Sequence, residues 1–260
     1  MIYLKTDEEI SQMRIAGKIS KEILNKAIDL CIPDKTSNEI NLEIEKLMKG
    51  NNVEPWFKEV SHYPFASCIS VNHVWLHGMP NNNKLKIGDV VSIDIGVKYN
   101  GFYVDNCWTV IVDDTKNKSA KRNKFEHELQ YINDFLDVGV LALNDAIDQF
   151  VVGNRVGDIA YAMQKKVEDN GFSVIKNYTG HGVGYHPHED PSISCYGVKG
   201  TGDLLKKRMV FAIEVMYAMG SSKNVVGRDG WTISSKDKKL TGMFEHTVAL
   251  TDNGPEILTD

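Results

Sequence analysis

The sequence predicts an α+β fold built on a mainly antiparallel sheet with helices on its flanks. Three observations predict it: apolar residues at helical spacing behind capping boxes, seven runs of strand length and composition, and an Asn-Gly pair between two of those runs.

The elements follow in chain order. Thr6-Asp7-Glu8-Glu9 is a capping box, and Ile10, Met13, Ile19, Ile23, Ala27 and Leu30 follow at helical spacing, so a helix runs from about residue 7 to 30. Thr36-Ser37-Asn38-Glu39 starts a second helix through Ile40, Ile44 and Leu47, with Gly50 as its stop. The strand-like runs are Ser67–Trp75, Asp89–Val97, Gly101–Val112, Phe172–Tyr178, Met209–Met216, Trp231–Ser235 and Gly242–Leu250. A third helix begins at Asp158 and passes through Ile159, Met163 and Val167 to Gly171, repeating the design of the second. Each short helix leads into an extended, aromatic-containing stretch, which points to two loosely similar halves.

With 260 residues and no linker-like stretch, the chain reads as a single domain over 1–260. Hydrophobic residues at 42% and charged residues at 25% are those of a globular protein. The formal net charge of -5 argues against a nucleic-acid partner, and the basic run Lys116–Lys124 reads as a solvated loop or helix start. Cys31, Cys68, Cys107 and Cys195 are widely spaced, without a C-x-x-C pair, which fits reduced thiols in a cytoplasmic protein. No run of 18 apolar residues and no signal-type N-terminus occurs, so neither membrane insertion nor secretion is expected.

Chemistry concentrates in VVSIDIGVKYNGFYVDNCWTV. If Asn100-Gly101 is a two-residue hairpin loop, Tyr99 faces Phe102, Lys98 faces Tyr103, Val97 faces Val104 and Gly96 faces Asp105. Side chains alternate faces, so Asp94 shares the face of Gly96 and Asp105, and the two carboxylates become diagonal neighbours across the hairpin with their backbones roughly 7–8 Å apart. Like charges there need a cation between them. Two metal ions about 3.5–4 Å apart would fit, with Gly96 leaving the room. A register slip would instead turn one aspartate to solvent. Glu214 interrupts the apolar run MVFAIEVMYAM and Glu245 lies in GMFEHTVAL; a glutamate there is either half of a buried ion pair or a metal ligand. With a histidine these carboxylates make an oxygen-rich set suited to Mn, Fe, Co or Zn, and not a thiolate site.

The stretches CISVNHVWLHGMP, GDVVSIDIGVKYNGFYVDNCWT, YTGHGVGYHPHEDP, MVFAIEV and WTISSKDKKLTGMFEHT stand in this order along the chain. With them the sequence resembles the type I, or bacterial-type, methionine aminopeptidases over essentially its whole length. The resemblance implies the pita-bread fold with internal pseudo-two-fold symmetry. It implies Asp94, Asp105, His181, Glu214 and Glu245 as ligands of two divalent metal ions per chain. It further implies His77 and His188 as catalytic, substrate-contacting histidines and Glu214 as general base. Cys68 and Trp231 are implied at the methionine pocket, where a buried core thiol and a packing aromatic are the alternative readings.

Of the three histidines in YTGHGVGYHPHEDP, His181 is then the ligand, reached by a tight Gly180/Gly182 turn. His188 is catalytic and His186 rims the cleft. The implied reaction removes the initiator methionine from nascent chains, favouring a small second residue, by a cytoplasmic monomer in transient contact with the ribosome. An Xaa-Pro aminopeptidase or prolidase, and a catalytically dead ribosome-associated protein, are the alternatives. Departures from the family pattern are His73 after Asn72, Pro187 before His188 and Val215 after Glu214, which bear on pocket shape; an insert is expected at about 115–130.

Overall fold

The structure, a computed structural model, describes residues 1–60, 62–113 and 126–260. The run Lys116–Lys124, most of the expected insert, and any ribosome contact made through them lie outside the described residues.

Helices α1 (Asp7–Ile28) and α2 (Ser37–Gly50) begin at the two predicted capping boxes. The Thr6 and Thr36 hydroxyls accept from the Glu9 and Glu39 N–H groups at 3.3 and 3.2 Å, and both glutamates return to the cap N–H. Helix α3 (Glu126–Asp148) is not among the predicted elements. Gly139 near its middle weakens the helical signal and also explains the packing, because a Cβ there would lie 2.4 Å from the Tyr217 hydroxyl. Helix α4 (Val156–Asp169) starts before the predicted Asp158, which sits inside the first turn and accepts the Arg155 N–H at 2.8 Å.

The predicted run Ser67–Trp75 divides into β2 (Ser67–Val71) and β3 (Val74–Leu76), since Asn72 takes a left-handed φ of 57° and turns the chain. Strands β4 (Val90–Tyr99), β5 (Phe102–Ile111), β9 (Val210–Ala218) and β12 (Thr241–Thr251) fall where predicted. The run Phe172–Tyr178 keeps only β6 (Ser173–Val174). Strands β1 (Glu54–Pro55), β7 (Thr179–Gly182), β8 (Glu189–Ser194) and β13 (Gly254–Ile257) are additions. The main sheet runs β1-β4-β5-β12-β9-β7-β8, and β3 joins β10 (Asn224–Val226) and β11 (Ile233–Ser235) in a small second sheet. All strand pairs among the described residues are antiparallel.

The two halves repeat one plan. Helix α2 leads into β1 on β4, as α4 leads into β6 on β9. Single bridges tie Thr36 to Lys84 and Arg155 to Leu204, and Asp94 and Glu214 lie the same distance along the chain beyond those bridges. One apolar cluster, with Ile10, Ile23, Ile40, Ile44, Ile93 and Ile95, sits under α1 and α2. The other, with Phe135, Ile159, Met163, Val215, Tyr217 and Phe244, sits under α3 and α4. Each such side chain stabilises the fold by about 1.5–3 kcal/mol, so the scaffold can carry several unfavourable groups on its opposite face.

Candidate metal centre and active site

The ladder puts those unfavourable groups together. The hairpin register is the predicted one, Tyr99–Phe102, Lys98–Tyr103, Val97–Val104 and Gly96–Asp105. Asp94 pairs with Cys107, Cys107 with Glu245 and Glu245 with Glu214, so three carboxylates and a thiol stand in one row across β4, β5, β12 and β9. Asp105 is two residues from Cys107, and His181 pairs with Ala212, two residues from Glu214; alternation places both on the same face. Helices α1 and α3 pack on the other face, against residues such as Ile93 and Phe244.

His181 reaches the row from strand β7, not from the tight turn expected. Its glycines are set by close approach, since a Cβ on Gly180 would lie 2.6 Å from the Ala212 carbonyl and one on Gly182 2.4 Å from that of Asp190. The expected metal space at Gly96 is also corrected: a Cβ there would lie 2.0 Å from Trp56 Nε1, so an indole fills it. Asp105 is pinned by Thr247, whose Oγ1 accepts the Asp105 N–H and donates to the Asp105 carbonyl, both at 2.8 Å.

All five groups are buried. Ligand atoms of Asp105, His181 and Glu245 lie within 4.8 Å of one another, with His181 Nε2 4.0 Å from Asp105 Oδ2. Asp94 and Glu214 border the same cavity. His181 Nδ1 lies 2.9 Å from the Gly182 carbonyl and donates to it, which leaves the Nε2 lone pair facing the carboxylates. Burial, with repulsion from Asp94, pushes Glu214 up to about 8. Burial raises Asp94 to about 7, and burial plus the other carboxylates hold Asp105 and Glu245 well above the usual range. Among the described residues no Lys or Arg forms an ion pair with any of the four. Asp94 Oδ1, Asp105 Oδ1 and Glu245 Oε2 are buried without a hydrogen-bond partner. Orphaned oxygens around one free imidazole nitrogen fit divalent cations, and among the described residues no protein group supplies the missing charge.

A cavity of about 300 Å³ opens beside this centre, lined by Cys68, His77, His188 and Trp231 among others. His77 follows β3 in a left-handed conformation (φ 55°), and burial, then the nearby His188, lower its pKa to about 4. His188 is exposed at the mouth with its pKa lowered by partial desolvation, its ring 4.4 Å from that of His181. Both imidazoles are therefore neutral at pH 7 and carry one N–H each. His186 lies outside this cavity, in an adjoining hollow against Tyr3.

The sequence model of metallopeptidase family M24 matches residues 11–252. The chain belongs to metallopeptidase family M24. It is 39% identical over 259 residues to a methionine aminopeptidase of Clostridium perfringens, covering 100% of this chain and 99% of the relative. Methionine aminopeptidase 1 of Bacillus subtilis is 37% identical over 262 residues, at 100% and 99% coverage. The crystal structure of methionine aminopeptidase from Thermotoga maritima superposes with a TM-score of 0.90 at 39% identity over the full length of both chains. A Pyrococcus furiosus prolidase shares the fold at a TM-score of 0.75 and 24% identity, with 65% of its own length covered.

Several cavity residues of this M24 chain are not among those predicted. Trp56, Phe57, Tyr63 and Tyr178 complete an aromatic wall, with Tyr63 and Trp231 edge-to-face at 5.1 Å and Trp56 edge-to-face on His188 at 5.3 Å. For Trp56, Phe57 and Tyr63 the only signal in the sequence was the aromatic cluster between α2 and β2; Tyr178 stands at the head of the stretch that carries His181. His73, Pro187 and Val215, the departures from the family pattern, do not line the cavity; Val215 points into the core on the helix face of β9.

Proposed function

We propose that this chain is a metallo-aminopeptidase that removes the N-terminal methionine from polypeptides, favouring a small second residue. The observation that carries the reading is the meeting, on one sheet face, of a cation-demanding carboxylate and histidine cluster with an aromatic-walled cavity of side-chain size. Methionine aminopeptidases aligned end to end with this chain support it.

In this reading Asp94, Asp105, His181, Glu214 and Glu245 hold two divalent cations, drawn from Co, Mn, Fe and Zn. Such cations supply Lewis acidity, which polarises a carbonyl and lowers the pKa of water towards neutrality. Glu214 accepts the proton of the attacking water on a carboxylate oxygen. The neutral His188 donates its ring N–H to the scissile carbonyl oxygen as negative charge develops there, and His77 engages the adjoining amide. The methionine side chain fills the cavity walled by Cys68, Tyr63 and Trp231, whose apolar lining excludes water. Cys68 contributes surface and not a nucleophile, since burial holds its thiol protonated. Collapse of the adduct breaks the C–N bond and returns the proton to the departing amine.

Two variants test the roles as a pair. Asp105→Ala is expected to lose bound metal and turnover together, measured by elemental analysis and peptide hydrolysis. His188→Ala is expected to keep its metal and lose turnover by about 10²-fold or more. An Asp105→Ala protein with full metal content, or a His188→Ala protein without metal, would overturn the assignment.

A further inference from the structure

Lys5 and Glu189 form an ion pair whose side chains are both 1% exposed, although they are 184 residues apart in the chain. Charged side chains are almost never buried so fully, and a pair of them adds little net stability because desolvation offsets the attraction. The surroundings are built to hold it. A Cβ at Gly184 would lie 2.3 Å from Lys5 Cε, and the Lys5 ammonium sits 5.8 and 5.2 Å from the ring centres of Tyr3 and Tyr185. The Lys5 N–H donates to the Arg208 carbonyl at 2.9 Å, tying the N-terminal arm to the start of β9.

What the pair fixes is the loop that carries His188. Glu189 follows His188 directly and pairs with Gly182, the neighbour of His181, where β7 and β8 shift register. One oxygen of Glu189 meets the Lys5 ammonium. The other accepts the Tyr185 N–H at 2.6 Å and the His186 N–H at 3.1 Å, closing the loop on itself. The His188 ring has no hydrogen-bond partner in the protein among the described residues; the aromatic rings beside it are those of His181 and Trp56. Its position is therefore set by those two rings and by its backbone, which lies between the two N–H groups that Glu189 binds and Glu189 itself.

We propose that Glu189, neutralised by Lys5, is a positioning residue for His188, so that the N-terminal arm is part of the active site. This rests on the reading of His188 given above. Lys5 permits a carboxylate at a fully buried point, and the carboxylate supplies one oxygen that orders two backbone N–H groups within four residues of the reacting ring.

The test compares two double variants of the full chain loaded with zinc, both free of the buried charges. K5M/E189Q keeps an acceptor oxygen for the two N–H groups, and K5M/E189L removes it. Turnover of a Met-Ala-Ser peptide is measured below the melting temperature of each, with histidine ring signals followed by NMR. K5M/E189Q is expected within about threefold of the parent kcat. K5M/E189L is expected to lose at least about tenfold in kcat with KM within threefold, and to shift the His188 ring signals while those of His77 stay. Equal kcat for the two doubles, or an unshifted His188 signal in K5M/E189L, would overturn the proposal. His188→Ala run alongside separates the two readings: full activity there removes the role of His188 itself, whereas an impaired His188→Ala beside a fully active K5M/E189L removes only the role of Glu189.

Discussion

Stripping the metal with a chelator should make this protein lose stability as pH rises from 6.5 to 8. A carboxyl whose pKa is raised in the folded state holds its proton better there than in the unfolded chain, so its contribution is complete below the unfolded value near 4 and disappears as pH climbs through the folded value. Asp94 at about 7 and Glu214 at about 8 place that loss near neutrality. The histidines act in the opposite sense: His181 at about 3, and His77 and His246 at about 4, add stability as pH rises through their unfolded value near 6.5, each still contributing about 0.4 kcal/mol between pH 6.5 and 8. Over pH 6.5 to 8 that opposing gain is about 1 kcal/mol for the three, and the four carboxyls together outweigh it. At 1.36 kcal/mol per proton and pH unit, the interval removes about 1 kcal/mol through Asp94 and about 2 kcal/mol through Glu214, with Asp105 and Glu245 adding in the same direction. For a chain of this size, 2–3 kcal/mol corresponds to roughly 5–10 °C in Tm. Urea unfolding of chelated protein at pH 6.5 and pH 8 reads the difference directly. The metal-loaded protein should show no such loss, because the cations replace the protons. Equal midpoints for the chelated protein at both pH values would refute the claim that these carboxylates lie uncompensated on one face.

Two substitutions probe the scaffold beneath the site. Gly96→Ala drives a Cβ into the Trp56 indole and should cost about 1–3 kcal/mol of stability while lowering kcat through the displaced His188, seen in denaturant melts and steady-state kinetics. Thr247→Val leaves the buried Asp105 N–H and carbonyl without their hydroxyl partner, and should cost about 1–3 kcal/mol and weaken metal affinity, measured by titration against a competing chelator.

The carboxylates were legible in the sequence for a definite reason. Asn100-Gly101 pins the hairpin register, and period-two alternation then carries Asp94 and Asp105 to one face without further information. Glu214 and Glu245 were legible because an acid inside an apolar or largely apolar strand is buried, and a buried acid needs a cation or a proton to stay there. Strand β7 was hidden because two of its four residues are glycines, which carry no side-chain signal and answer to strands far away in the chain. Helix α3 was hidden by Gly139, whose missing side chain matters only once Tyr217 is brought against it. Trp56 and Lys5 show the same limit. A lysine five residues from the start reads as solvated surface, and only the fold reveals that Glu189 needs it.

Hydrolysis of Met-Ala-Ser, Met-Leu-Ser and Ala-Pro-Ala by the metal-reconstituted protein decides whether the aromatic-walled cavity is a methionine pocket. Met-Ala-Ser should be cleaved, Met-Leu-Ser slower by about tenfold or more, and Ala-Pro-Ala not at all. Cleavage of Ala-Pro-Ala alone would contradict that assignment and favour the Xaa-Pro aminopeptidase or prolidase alternative.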